Sequence, residues 1–115
     1  MILKGWIPEN NLTPFCVFLA RRAGYDLSDG EMWSIECGIK ESDYEANKWF
    51  RSEFVGESKI EFRFAQDPGT SVVFFQITCD DQTAPRIEAA IEIMGDYSLV
   101  GGMGPSAKAE RRRHF

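Results

Sequence analysis

Residues 59–80, KIEFRFAQDPGTSVVFFQITCD, constrain the fold more than any other stretch of this chain. Ile60, Phe62 and Phe64 alternate with Glu61, Arg63 and Ala65, and Val73, Phe75 and Ile77 alternate with Val72, Phe74 and Gln76. A period of two is what a strand with one buried face requires. Between the runs, Asp67-Pro68-Gly69-Thr70 carries turn chemistry: proline presets φ at the second position and glycine tolerates positive φ at the third. The stretch therefore predicts an antiparallel hairpin. Pairing Gln66 with Ser71 sets Phe64 against Val73, Phe62 against Phe75 and Ile60 against Ile77. A slip by one residue would turn every one of these side chains to the wrong face. The same register sets Arg63 against Phe74, as a cation–π pair, on a second face that also carries Glu61 and Val72. That face either meets a partner or is covered by the chain itself.

The rest of the chain supplies elements to complete a sheet. ILKGWI (2–7) reads as a short apolar strand. In NLTPFCVFLARRAGY (11–25), Thr13 suits a helix N-cap, Pro14 the first helical position and Gly24 the C-terminal stop. Arg21 and Arg22 fall in the last turn, where the helix dipole favours cations. This helix is apolar nearly all round before Arg21, which predicts burial, at the sheet edge or on the second face. In MWSIECGI (32–39), Trp33, Ile35, Cys37 and Ile39 alternate with Met32, Ser34, Glu36 and Gly38, a strand pattern. In ESDYEANKWFRSEF (41–54), Ser42 and Glu45 stand at capping-box spacing, and Ala46, Trp49, Phe50 and Phe54 recur at helical intervals. TAPRIEAAIEIMGDY (83–97) carries the stripe Ile87, Ala90, Ile91, Met94, ended by Gly95. YSLVGG (97–102) offers a last short strand. The expectation is an α+β fold with a mixed or mostly antiparallel four- to five-stranded sheet and three helices, in the order β-α-β-α-β-β-α(-β). Residues 1–101 form the single domain and 102–115 a flexible basic tail.

A chain of 115 residues is one domain by length and buries roughly 65% of its unfolded surface. Its three cysteines, Cys16, Cys37 and Cys79, lie in apolar runs with no Cys-x-x-Cys, so they read as reduced core thiols rather than a zinc or redox motif. The first residues, MILKGWIPEN, lack the apolar run of a signal peptide, and FCVFLA is far short of a membrane span. A soluble, cytoplasmic protein with no membrane partner is expected.

Charge narrows the function classes. The chain carries 18 acidic against 13 basic residues, a net charge of −5. Lys108, Arg111, Arg112 and Arg113 gather in the tail against Glu110, leaving −8 for the rest. Asp26, Asp29, Glu31, Glu36, Glu41, Asp43 and Glu45 stand against Lys40 alone, a local net of −6. Such a body disfavours nucleic acid, apart from sequence-blind contact through Arg111, Arg112 and Arg113.

Catalytic constellations are poorly served. His114, the single histidine, stands one residue from the end, where no base is held in place. DLSDGE (26–31) fails the calcium-loop spacing, and VGGMGP (100–105) lacks the Lys-Ser/Thr of a phosphate loop. No cofactor, metal or catalytic residue is expected. The reading is a non-enzymatic protein-binding module with an acidic surface, of inhibitor or immunity type, facing a basic partner. Its candidate contacts are Asp26, Asp29, Glu31, Glu36, Glu41 and Asp43, with Glu61, Arg63 and Phe74 on the second sheet face and Trp33 in the core. The alternatives are a small enzyme or ligand-binding domain using Glu36 and Glu61, and a self-associating accessory domain.

Overall fold

In the computed structural model, which describes residues 1–93 and 99–100, the hairpin lies inside a five-stranded antiparallel sheet. The strands are β1 (Ile2–Pro8), β2 (Phe50–Val55), β3 (Lys59–Gln66), β4 (Val72–Thr78) and β5 (Leu99–Val100), in the order β2-β3-β4-β1-β5. The helices are α1 (Leu12–Ala23), α2 (Asp29–Lys40) and α3 (Ala84–Ile93), with a short 3₁₀ turn over Glu9–Asn11. The expected α+β class and three helices are present, and the sheet, expected to be mixed or mostly antiparallel with four to five strands, is antiparallel with five. The tail from 102 onward, Met94 and Gly95 lie outside the described residues.

Two elements are exchanged relative to expectation. Residues 32–39 are helical, and the second strand along the chain is β2 instead. The helix starts from a capping box at Ser28: its hydroxyl accepts the Glu31 N–H, and the Glu31 carboxylate accepts the Ser28 N–H. Met32, Ile35 and Ile39 then fall on one helical face and are buried. The alternating pattern was coincidental, since Trp33, assigned to its buried side, is 67% exposed.

Residues 41–54 do not form a helix, because their polar groups close turns instead. Ser42 donates to the Ile39 carbonyl and accepts from the Gln66 N–H at 3.0 Å, ending α2 against β3. The Asp43 carboxylate accepts the N–H groups of Glu45 and Ala46 at 3.0 and 3.3 Å. Asn47 takes a left-handed φ of 54°. Phe50 and Phe54, four residues apart, suit a helix face, but two strand repeats also bring them to one side. That side points inward, and Phe54 is buried.

The hairpin register is displaced by two residues from the expected one. Phe64 pairs with Phe75, Phe62 with Ile77 and Gln66 with Val73. An even displacement preserves the faces, so the same apolar set still points inward. The turn forms as expected around Asp67, whose carbonyl accepts the Thr70 N–H at 3.2 Å. The Asp67 N–H, however, donates to the Val72 carbonyl at 2.9 Å, and the Ser71 carbonyl accepts the Glu9 N–H at 2.8 Å. Ser71 is thus drawn to the 3₁₀ turn and out of the ladder.

Helix α1 ends where expected, at Gly24 with a φ of 77°. It begins at Asn11 without a side-chain cap, and Thr13 lies within the first turn. Nor does α1 sit on the second face or at an edge. Phe15, fully buried, has its ring 6.3 Å from that of Phe64 and 5.2 Å from that of Phe75, both inward residues of the sheet. The buried residues of α1, α2 and α3 join the inward residues of β1, β3 and β4 in one apolar cluster.

Cys16 and Cys79 are buried and Cys37 half-buried, all three as free thiols. Burial, with the nearby Glu36 charge adding to it, pushes the Cys16 thiol up to about 12. Burial also raises the Cys79 thiol. In the native protein at neutral pH, iodoacetamide is expected to label Cys37 first and to reach Cys16 only after urea unfolding. Peptide mass mapping checks this, and equal labelling of Cys16 and Cys37 would contradict the burial order.

Candidate functional site

The nine residues singled out by sequence divide between two surfaces. Asp26, Asp29, Glu31, Glu36, Glu41 and Asp43 lie on α2 and the segments flanking it. Glu61, Arg63 and Phe74 lie on the outward face of the sheet, across the apolar core from α2.

On the acidic side, several carboxylates are held by the chain itself. Glu31 closes the capping box and accepts the Tyr25 hydroxyl. The Tyr25 bond, with those from Ser28, holds the Glu31 carboxyl below its ordinary range, and the same bond raises the Tyr25 hydroxyl. Asp43 is committed to its turn. Glu36, half-buried, accepts from the Thr13 hydroxyl at 3.1 Å. Asp26, Asp29 and Glu41 are exposed.

Trp33 is the residue that the alternating reading misplaced. It is not core: it projects from α2 one helical turn from Asp29 on one side and from Glu36 on the other. The sequence did hold a signal for this, the Ser-x-x-Glu pair at 28–31, which starts a helical phase that turns Trp33 outward. Trp49 is half-buried, and so is Trp6, whose buried indole N–H has no acceptor among the described residues.

Beside this helix runs a groove of about 660 Å³, with Leu12 and Ile39 among its apolar lining and Glu9, Thr13, Glu36 and Lys40 among its polar lining. Glu36 is thus both half-buried and open to a cavity.

The sheet's outward face is partly covered, by the turn segment 43–49 and not by a helix. The Tyr44 ring stacks on Phe74 with centroids 3.9 Å apart and planes 20° apart. The Arg63 guanidinium sits 4.7 Å over the Trp49 ring, in place of the expected Phe74 partner, and its Nε donates to Gln76 at 2.9 Å. Glu61 pairs with Lys59 at 2.9 Å. Met32 and Glu36 belong to the helical layer and not to this face. Glu36 and Glu61 therefore form no acid–base pair, since the sheet and core separate them.

Among the described residues, no three His, Cys, Asp or Glu side chains gather as a metal set, and no helix is long and apolar enough to cross a membrane. The chain matches no protein-family model, no curated protein and no solved structure.

Proposed function

We propose that the chain is a non-enzymatic binding module, of inhibitor or immunity type, whose α2 surface engages a basic protein partner in the cytoplasm. The observation that carries this reading is Trp33, 67% exposed on a helix bearing Asp29 and Glu36 and flanked by Asp26 and Glu41. A large aromatic side chain left in water offers little to the monomer. At an interface it is the type of residue that supplies most of the binding energy. The carboxylates around it would steer a cationic partner and speed association. The three free thiols suit a reducing compartment.

The test is affinity capture at about 50 mM and about 500 mM salt, where screening lengths fall from roughly 14 to 4 Å. It is run with the native chain, Trp33→Ala and Asp26→Lys/Asp29→Lys. A basic protein held at low salt by the native chain alone is the expected outcome, with affinity reduced at least ~30-fold by Trp33→Ala, a loss of about 2 kcal/mol. Trp33→Ala should leave the melting temperature unchanged, because the side chain is exposed. A bound protein retained equally by all three chains would place the interface elsewhere and reject the reading.

A second reading, a small-ligand site, is favoured by the groove into which Glu36 opens. It predicts ligand binding that is lost in Glu36→Gln and retained in Trp33→Ala, the reverse of the first.

A further inference from the structure

The outward face of the sheet carries a row of cations that the function proposed above does not use. Strand pairing sets Arg51 of β2 directly against Arg63 of β3, Arg63 against Gln76 of β4, and Gln76 against Lys4 of β1. Three cations thus stand in one line across four strands. At ~4.8 Å per strand the row spans roughly 14 Å. Two arginines in direct cross-strand opposition repel each other, an arrangement that sheets avoid. Glu53 and Glu61, the carboxylates beside them on the same face, both turn to Lys59, at 3.6 and 2.9 Å. Among the described residues Lys4, Arg51 and Arg63 form no ion pair. All this occurs in a chain of net charge −5. Two open grooves of about 550 and 440 Å³ meet at Arg63 and Gln76. The second is walled by Tyr44, Trp49 and Phe74 together with Glu45 and Asn47, which sets aromatic rings and one carboxylate beside the cations.

We infer that this row is a binding site for a phosphate-bearing small molecule with at least two phosphoryl groups. Two opposed guanidinium groups match the double charge and several acceptor oxygens of one phosphoryl group, whereas a carboxylate is satisfied by a single guanidinium fork. Lys4, two strands from Arg63, reaches a second phosphoryl group as a point charge. Arg63 is already oriented by Gln76 and Trp49, so little ordering is needed on binding. The site is separate from the α2 surface and does not depend on it.

The probes are inorganic pyrophosphate, inorganic phosphate and a hexaglutamate peptide, each titrated at about 50 mM salt while backbone amide shifts are followed by NMR. Saturable shifts along β1–β4 are expected with pyrophosphate at sub-millimolar concentration, with phosphate binding at least ~10-fold more weakly and hexaglutamate more weakly still. Arg51→Gln removes an exposed side chain without touching Trp49 or Gln76, and should weaken pyrophosphate ~10-fold while leaving the melting temperature equal or higher. Lys4→Gln should weaken pyrophosphate and leave phosphate unchanged. Arg86→Gln, on α3, should change neither. Tighter binding of hexaglutamate than of pyrophosphate would overturn the assignment in favour of an acidic peptide. An absence of saturation by ~10 mM pyrophosphate, or an Arg51→Gln chain that binds normally, would overturn it outright.

Discussion

Replacement of Phe15 by alanine is expected to destabilise the protein by about 3–5 kcal/mol, the cost of deleting a fully buried aromatic ring and leaving a cavity. Phe15 has no exposed surface and touches the rings of both Phe64 and Phe75, so its loss opens the contact between α1 and the two central strands. For a domain of this size the melting temperature should fall by more than about 12 °C. Phe18→Ala, one turn along the same helix, is the internal comparison. Phe18 is half-buried beneath the Arg22 guanidinium at 5.5 Å, so its truncation should cost roughly 1 kcal/mol, chiefly that contact and some buried area. A larger effect at Phe18 than at Phe15 would show that the other side of α1 faces the sheet.

The second large effect is expected at Gly56, in the tight turn between β2 and β3. This turn lies on the C-terminal end of α1, where the Ser58 N–H donates to the Ala23 carbonyl at 3.2 Å. A Cβ at Gly56 would fall 2.4 Å from the Gly24 carbonyl oxygen and 2.5 Å from that of Ala23. These are backbone atoms, which cannot rotate away as a side chain would. Gly56→Ala should therefore cost about 1–3 kcal/mol, toward the upper end, by forcing the hairpin off the helix terminus. Gly30→Ala is the contrast: nothing lies within 4 Å of its Cβ position, and alanine is the better helix former in α2. It should stabilise by about 0.5–1 kcal/mol. Urea midpoints at constant m-value separate the two signs. A neutral Gly56→Ala would show that the turn is not seated on α1.

Both predictions rest on packing that local sequence could not supply. The end of α1 at Gly24 was legible, because only glycine adopts its backbone conformation cheaply. The turn that seats itself there, Gly56–Ser58, lay inside no recognised pattern. For the candidate site, the acidic character of 26–43 was plain from composition. The position of Trp33 was not, because an alternating pattern of four apolar residues outweighed a two-residue capping signal. The outward cation row was invisible for another reason: Lys4, Arg51 and Arg63 are far apart in the chain and align only when β1, β4, β3 and β2 pair in that order.

The sequence by itself determined which side chains of β3 and β4 face inward, where α1 stops, and that the fold is of the α+β class. These follow from period-two burial, from glycine and proline backbone limits, and from the number of apolar segments, all of which are local. The tertiary structure alone decided the hairpin register within its parity, the exchange of helix and strand at 29–40 and 50–55, and the cover over the outward face. Periodicity specifies a face and leaves the pairing open to even shifts. A four-residue spacing such as Phe50–Phe54 suits either element. The choice is settled when Ser42 closes α2 onto Gln66, Phe50 packs on Gly38, and Tyr44 stacks on Phe74, contacts between parts of the chain that no local window contains.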